Sequence, residues 1–184
     1  MTSLTGQLLV AMPQMLDPFF ERSVVYLCAH SQEDGAMGLV VNKTIDTLTI
    51  DELYAQLEIE PVTHRPQPIH FGGPVATGHG FVLHSTDYRE EGTLGLSGEF
   101  AMTATIDILR ATGKGVGPRQ SLVALGYAGW GPGQLDAEIQ ANGWLMVAAD
   151  TGLVFDTEDA SKWQRALAKL GVSPEMLSGD SGRA

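Results

Sequence analysis

The sequence predicts an α+β domain with a mixed β-sheet, and three observations carry that prediction. Short apolar runs bounded by Gly, Pro and Asp clusters outnumber the segments with helical periodicity. The two kinds of segment do not alternate strictly, as a doubly wound nucleotide fold requires. The length, 184 residues with 43% hydrophobic side chains, suits one domain with a real core, since a globule of this size removes roughly 70% of its unfolded surface from water.

Gln7 to Met12 reads as an apolar strand that runs into Pro13 and the turn Leu16-Asp17-Pro18. Ser23 to His30 is the next strand, almost continuously apolar, which fits burial on both faces. After polar turn residues from Ser31 to Gly35, the strand Gly38-Leu39-Val40-Val41-Asn42 is expected to pair with it as an antiparallel hairpin. Thr49-Ile50-Asp51-Glu52 matches a capping box, and Ile50, Leu53, Tyr54 and Leu57 then line one helical face. Pro61 to Pro68 holds three prolines in eight positions, too stiff and donor-poor for regular structure, and reads as a surface connection.

Ile69-His70-Phe71 leads into the corner Gly72-Gly73-Pro74, followed by a strand at Gly80-Phe81-Val82-Leu83-His84. A short helix is expected from Ile106 to Thr112 and a buried strand from Ser121 to Ala128. The turn Gly129-Trp130-Gly131-Pro132-Gly133-Gln134 then opens a helix from Leu135 to Gln140, closed by Asn142-Gly143. Trp144 to Ala149 is a strand, expected to form a hairpin with Leu153 to Phe155 across Asp150-Thr151-Gly152. Ala160 to Leu170 is the last long helix, and Ser173-Pro174 announces a final turn. The domain is bounded at residues 1–177, with 178–184 as a loose tail.

Charge and composition narrow the function. With 22 acidic against 11 basic residues, the formal charge of −11 repels phosphate backbones and disfavours direct nucleic-acid binding. Lys162, Arg165 and Lys169 are the local exception, and a solvated helix face explains them. No export signal and no apolar stretch long enough to span a bilayer is visible, so the expected location is cytoplasmic, with no membrane partner. The lone Cys28 lies in an apolar run and reads as a buried core thiol.

No cofactor is indicated. Lys114 does not complete a phosphate-binding loop, and the spacing of His70, His79 and His84 fits no compact metal site. In the glycine turn, helix amides are placed to hold an anion, although Asp136 and Glu138 already complement the helix dipole. Trp130 either caps the core or presents its face to a ligand. Arg22 either pairs with Asp17 or captures an anion.

Together these segments resemble the YqgE/AlgH family of bacterial proteins. The resemblance rests on Gly6-Gln7-Leu8-Leu9-Val10-Ala11-Met12-Pro13, Asp17-Pro18-Phe19 with Arg22-Ser23-Val24-Val25, His30 with Gly35 to Asn42, Gly72-Gly73-Pro74-Val75, Gly80 to His84, Leu125 to Leu135, and Asn142 with Trp144. It covers nearly the whole chain in order. It implies a bent, mixed sheet closing toward a pseudo-barrel with flanking helices, and brings no established activity. Some members carry the label of transcriptional regulator, in tension here with the charge and with the lack of a helix-turn-helix pattern. Two positions depart from the family: His79, where relatives often have arginine, and Arg183, where they often have histidine.

The function expected from the sequence is a non-catalytic binding or regulatory protein acting on an unidentified protein partner or small metabolite. Its candidate groove comprises Asp17, Arg22, Asn42, Gly72, Gly73, Pro74, His84, Trp130, Gln134 and Asn142. The alternative is a hydrolase-like or nucleotide-handling enzyme with His84 as base and the glycine-turn amides stabilising an anion.

Overall fold

Adjacent residues of the first strands bury opposite faces, which is why their sequences lack polar alternation. The computed structural model describes residues 3–177; the tail expected from Ser178, with Arg183, lies outside the described residues. Strands β1 (Gln7–Ala11), β2 (Val24–Ser31) and β3 (Gly35–Val40) run antiparallel to one another. Leu8, Val10, Val24, Tyr26 and Leu39 enter one core, while Leu9, Ala11, Val25, Leu27 and Val40 enter a second on the other side. Burying each large apolar side chain contributes roughly 1.5–3 kcal/mol.

The remaining strands are β4 (Thr44–Ile45), β5 (Ile69–Phe71), β6 (Val75–Ser85), β7 (Leu94–Gly95), β8 (Phe100–Thr103), β9 (Ser121–Trp130) and β10 (Trp144–Ala148). The order β10-β1-β2-β3-β9-β6-β8-β7 makes a curled half-barrel, and β5 adds to β9 in parallel, so the sheet is mixed as expected. β9 is central: β6 occupies one edge, while β3 and β5 share the other, one after the other. Where they meet, a Cβ on Gly72 would overlap the Gly126 carbonyl oxygen, and one on Gly126 would overlap that of Gly73. That backbone-to-backbone contact is why the corner is glycine on both sides.

Among the described residues five α-helices flank the sheet: α1 (Ile50–Gln56), α2 (Ile106–Gly113), α3 (Gln134–Gln140), α4 (Asp159–Lys169) and α5 (Pro174–Leu177). The capping box forms in full: Thr49 Oγ1 accepts from the Glu52 amide at 3.1 Å, and Glu52 accepts from the Thr49 amide at 2.9 Å. α1 and α2 cover a third core around Ile50, Tyr54, Ile69, Ile108 and Val123. α4 packs Trp163, Ala166 and Leu167 into the first.

The expected hairpin between Trp144–Ala149 and Leu153–Phe155 does not form. β10 pairs with β1 instead, from Gln7 opposite Ala148 to Ala11 opposite Trp144. Gly152–Asp156 is a wide π-type turn, fixed by the Leu153 amide donating to Asp150 Oδ1 at 2.8 Å, and it buries Leu153 and Val154 in the core beside α4. The strand before the glycine turn also runs further than its sequence suggests, since Gly129 and Trp130 pair with Met37 and Ala36.

Candidate functional site

The sequence-derived candidates fall into two neighbourhoods and one outlier. Asn42 accepts from the Val24 amide and donates to the Arg22 carbonyl, both at 2.9 Å. Next to it the Val40 amide donates to Gly72 O at 2.8 Å, which sets the Gly72-Gly73-Pro74 corner against β3. Asp17 Oδ1 accepts from the Phe19 amide and shapes its loop, and Phe19 stacks on Phe71. Among the described residues Arg22 makes no ion pair with Asp17. Its guanidinium lies 5.3 Å from the Trp163 ring centre, a cation–π contact.

The second neighbourhood surrounds the glycine turn. Trp130 is only 7% exposed and caps the core, with Phe20 and Trp144 against it. Glu138 Oε1 accepts from the indole N–H of both Trp130 and Trp144 at 3.0 Å, and Gln134 donates to Glu138 Oε2 at 2.9 Å. The Gly131 amide donates to Gln134 Oε1, so the chain's own side chain fills that donor. Gly133 takes φ +75° at the start of α3, and the left-handed Asn142 closes that helix, its carbonyl accepting from Gln14. Phe20, next to Phe19, links this neighbourhood to the first.

His84 stands apart and is fully buried. Its Nδ1–H donates to Ser85 O at 2.8 Å, and Nε2 accepts from the Thr103 hydroxyl at 2.8 Å, which in turn accepts from Thr93. Burial holds its pKa below the ordinary value, against the opposing pull of the Ser85 carbonyl, Asp87 and Glu90. Both nitrogens are engaged, which leaves no lone pair for a substrate. Cys28 is likewise a core thiol, pushed up to about 12 by burial.

A cleft of about 840 Å3 lies elsewhere. Its walls are the proline-rich connection from Pro61 to Pro68, the segment from Gly115 to Leu122, and the turn from Val154 leading into α4. His70, Asp159 and Lys162 meet in it. Lys162, 2% exposed, donates to Asp159 Oδ1 and to Val41 O, both at 2.7 Å. His70, 4% exposed, donates Nε2–H to the same carboxylate at 2.9 Å, while its buried Nδ1 has no partner. Burial lowers the Lys162 pKa, opposed by Asp159. For Asp159, burial pushes upward, but hydrogen bonds and charge from His70 and Lys162 outweigh it and hold the carboxyl below the usual range.

Sequence reasoning missed this cluster. His70 drew notice only as a metal candidate, and Lys162 was read as part of a solvated stripe. Of that stripe only Lys162 departs from a solvated face: it is buried because a backbone carbonyl and a carboxylate both meet its ammonium, while Arg165 and Lys169 are exposed. Lys169 stays exposed while donating to Ala148 O and Asp150. The available signal was the pairing of Asp159 and Lys162 three residues apart at a helix start. Among the described residues, no group of His, Cys, Asp or Glu is placed to hold a metal ion, and no helix is long and apolar enough to cross a membrane.

Comparison with known proteins places the chain. The family model described as DUF179, AlgH-like, matches residues 8–175. A UPF0301 protein of Rhodospirillum rubrum is 50% identical over 182 residues, covering 98% of this chain and 94% of its own length. One from Cereibacter sphaeroides is 52% identical over 183 residues, with 98% and 99% covered. The solution structure of the AlgH protein from Pseudomonas aeruginosa superposes with a TM-score of 0.78 at 42% identity, covering 100% of this chain and 97% of that one. A Corynebacterium diphtheriae protein, 22% identical with a TM-score of 0.74, shares the fold, with 89% and 85% covered. By family model, sequence identity and fold together, the chain belongs to the YqgE/AlgH family.

Proposed function

We propose that this is a ligand-binding protein with an indirect regulatory role, and that its site is the cleft floored by His70, Asp159 and Lys162. One observation carries the reading: a buried ionic cluster, one of whose imidazole nitrogens is unpartnered, lines a cleft of about 840 Å3. Burying charge is costly, and an unpaired buried polar atom costs about 1–3 kcal/mol, so stability alone gives little reason to keep such a cluster there. The −11 charge weighs against direct DNA contact, and the lone buried Cys28 suits a reducing, cytoplasmic compartment.

The test is a thermal-shift screen of the full chain against a metabolite library, with responding compounds followed by amide NMR. A ligand at about 100 times its dissociation constant adds roughly 2.7 kcal/mol of stability. The expected outcome is signal changes confined to residues 61–68, 115–122 and 154–162. Changes centred on Trp130 and Gln134 would move the site to the glycine corner. A library without a single responding compound would leave a protein partner as the ligand.

A second reading is favoured by the His70 geometry. A carboxylate, Asp159, accepts from Nε2–H and fixes the ring's orientation, as in an oriented acid–base histidine. If a bound compound turns over, His70→Gln is expected to abolish turnover while leaving binding; unchanged turnover would exclude the role.

A further inference from the structure

We propose that the cleft selects a small organic molecule through an oxyanion group, phosphate or carboxylate, held between Arg65 and Arg119; this rests on the binding reading above. The two arginines line the cleft from different walls, Arg65 on the proline-rich connection and Arg119 beside β9. Both are exposed, and among the described residues neither guanidinium has an ion pair or side-chain hydrogen bond. The Arg119 backbone amide donates to Asp87 at 2.9 Å and anchors the segment, and the Arg119 charge also helps to hold that carboxyl below its usual range.

Among the described residues, none of the three acids lining the cleft forms an ion pair with either arginine. The Asp159 charge is met by Lys162 and His70, and Asp156 accepts from the Gln120 amide at 3.1 Å. Glu158 is exposed at the start of α4, on the third wall. Three of the chain's eleven basic residues therefore line one cleft, in a protein whose overall field repels anions. A planar guanidinium fork matches phosphate or carboxylate oxygens in pairs, so two forks from separate walls define a site for a compact oxyanion. Because the net charge disfavours loose anion uptake, a localised response is a property of the site.

The experiment is an NMR titration of the full chain with inorganic phosphate and, separately, with citrate, each against sodium chloride at matched ionic strength. Amide shifts are expected in residues 61–68 and 115–121. Arg65→Gln and Arg119→Gln are each expected to weaken the response by about tenfold, a loss of about 1.4 kcal/mol. Lys114→Gln, exposed and outside the cleft lining, is expected to leave it unchanged. An equal response in the Arg65→Gln, Arg119→Gln double variant would overturn the assignment. So would silence toward both anions. If a neutral compound then titrates the same amides, the cleft remains the ligand site and only its selectivity for oxyanions is lost; if nothing titrates them, both readings fall.

Discussion

The Lys162 ammonium donates to the Val41 carbonyl at 2.7 Å, joining the last long helix to the end of β3 across 121 positions of sequence. The bond leaves a cation almost without water, stabilised by one carbonyl and one carboxylate. Lys162→Met is expected to strand the Val41 acceptor and remove half of the Asp159 compensation, at a cost of about 3 kcal/mol by urea denaturation. Asp159→Asn combined with Lys162→Met is expected to cost less than the sum of the single changes, since both act on one interaction. Additive costs would show that the two residues are energetically independent.

His84 predicts a pH effect with a definite sign. Its folded pKa lies below the ordinary 6.5, because burial disfavours the charged ring. As pH drops from 6.5, the unfolded chain takes up a proton that the folded chain refuses, so the unfolded state gains and stability falls. The loss continues until the depressed folded value is passed, with a slope of at most about 1.4 kcal/mol per pH unit. Asp159, also depressed, adds a separate loss below its ordinary 3.8. In His84→Gln the upper limb is expected to flatten while the lower persists; denaturation midpoints between pH 7 and 3 measure both, and parallel curves for the two proteins would refute the assignment.

Glu138 is the acceptor for two indoles at once. Glu138→Ala is expected to leave the Trp130 and Trp144 N–H groups unpaired and to cost several kcal/mol, at about 1–3 for each buried donor. Both indole N–H resonances should move together in the NMR spectrum. Movement of one alone would contradict a shared acceptor.

Two glycines separate conformational strain from lack of space. At Gly133 the backbone is left-handed but the surroundings are open, so Gly133→Ala is expected to cost about 1–2 kcal/mol. At Gly72 a Cβ would run into the Gly126 carbonyl, backbone against backbone, and Gly72→Ala is expected to cost more than Gly133→Ala or to prevent folding. The reverse ranking in denaturation midpoints would disprove the close approach.

Local physics made much of the fold readable. The Thr49–Glu52 capping box, the doubly buried Val24 to Leu27 run and the Gly133 turn each follow from chemistry within a few residues. Phe100 to Thr103 escaped notice because its burial comes from pairing with Val82 to Ser85, and the segment itself carries no alternation. Leu153 to Phe155 misled because three apolar residues fit a strand or a turn equally well until Asp150 fixes the choice. The cleft lay furthest from local reasoning: His70 and Asp159 are 89 positions apart, and a lysine's spacing says nothing of a distant carbonyl that meets it.

The three walls of the cleft come from residues 61–68, 115–122 and 154–162, far apart along the chain, and its floor is completed by α4. During synthesis, therefore, a ribosome-bound chain that stops short of Lys162 has no finished pocket to offer. Whatever occupies the cleft can reward only the completed protein, acting as a seal on assembly rather than a template for it. A ligand that protects the full chain from proteolysis should leave a fragment ending at Ala149 as vulnerable as before.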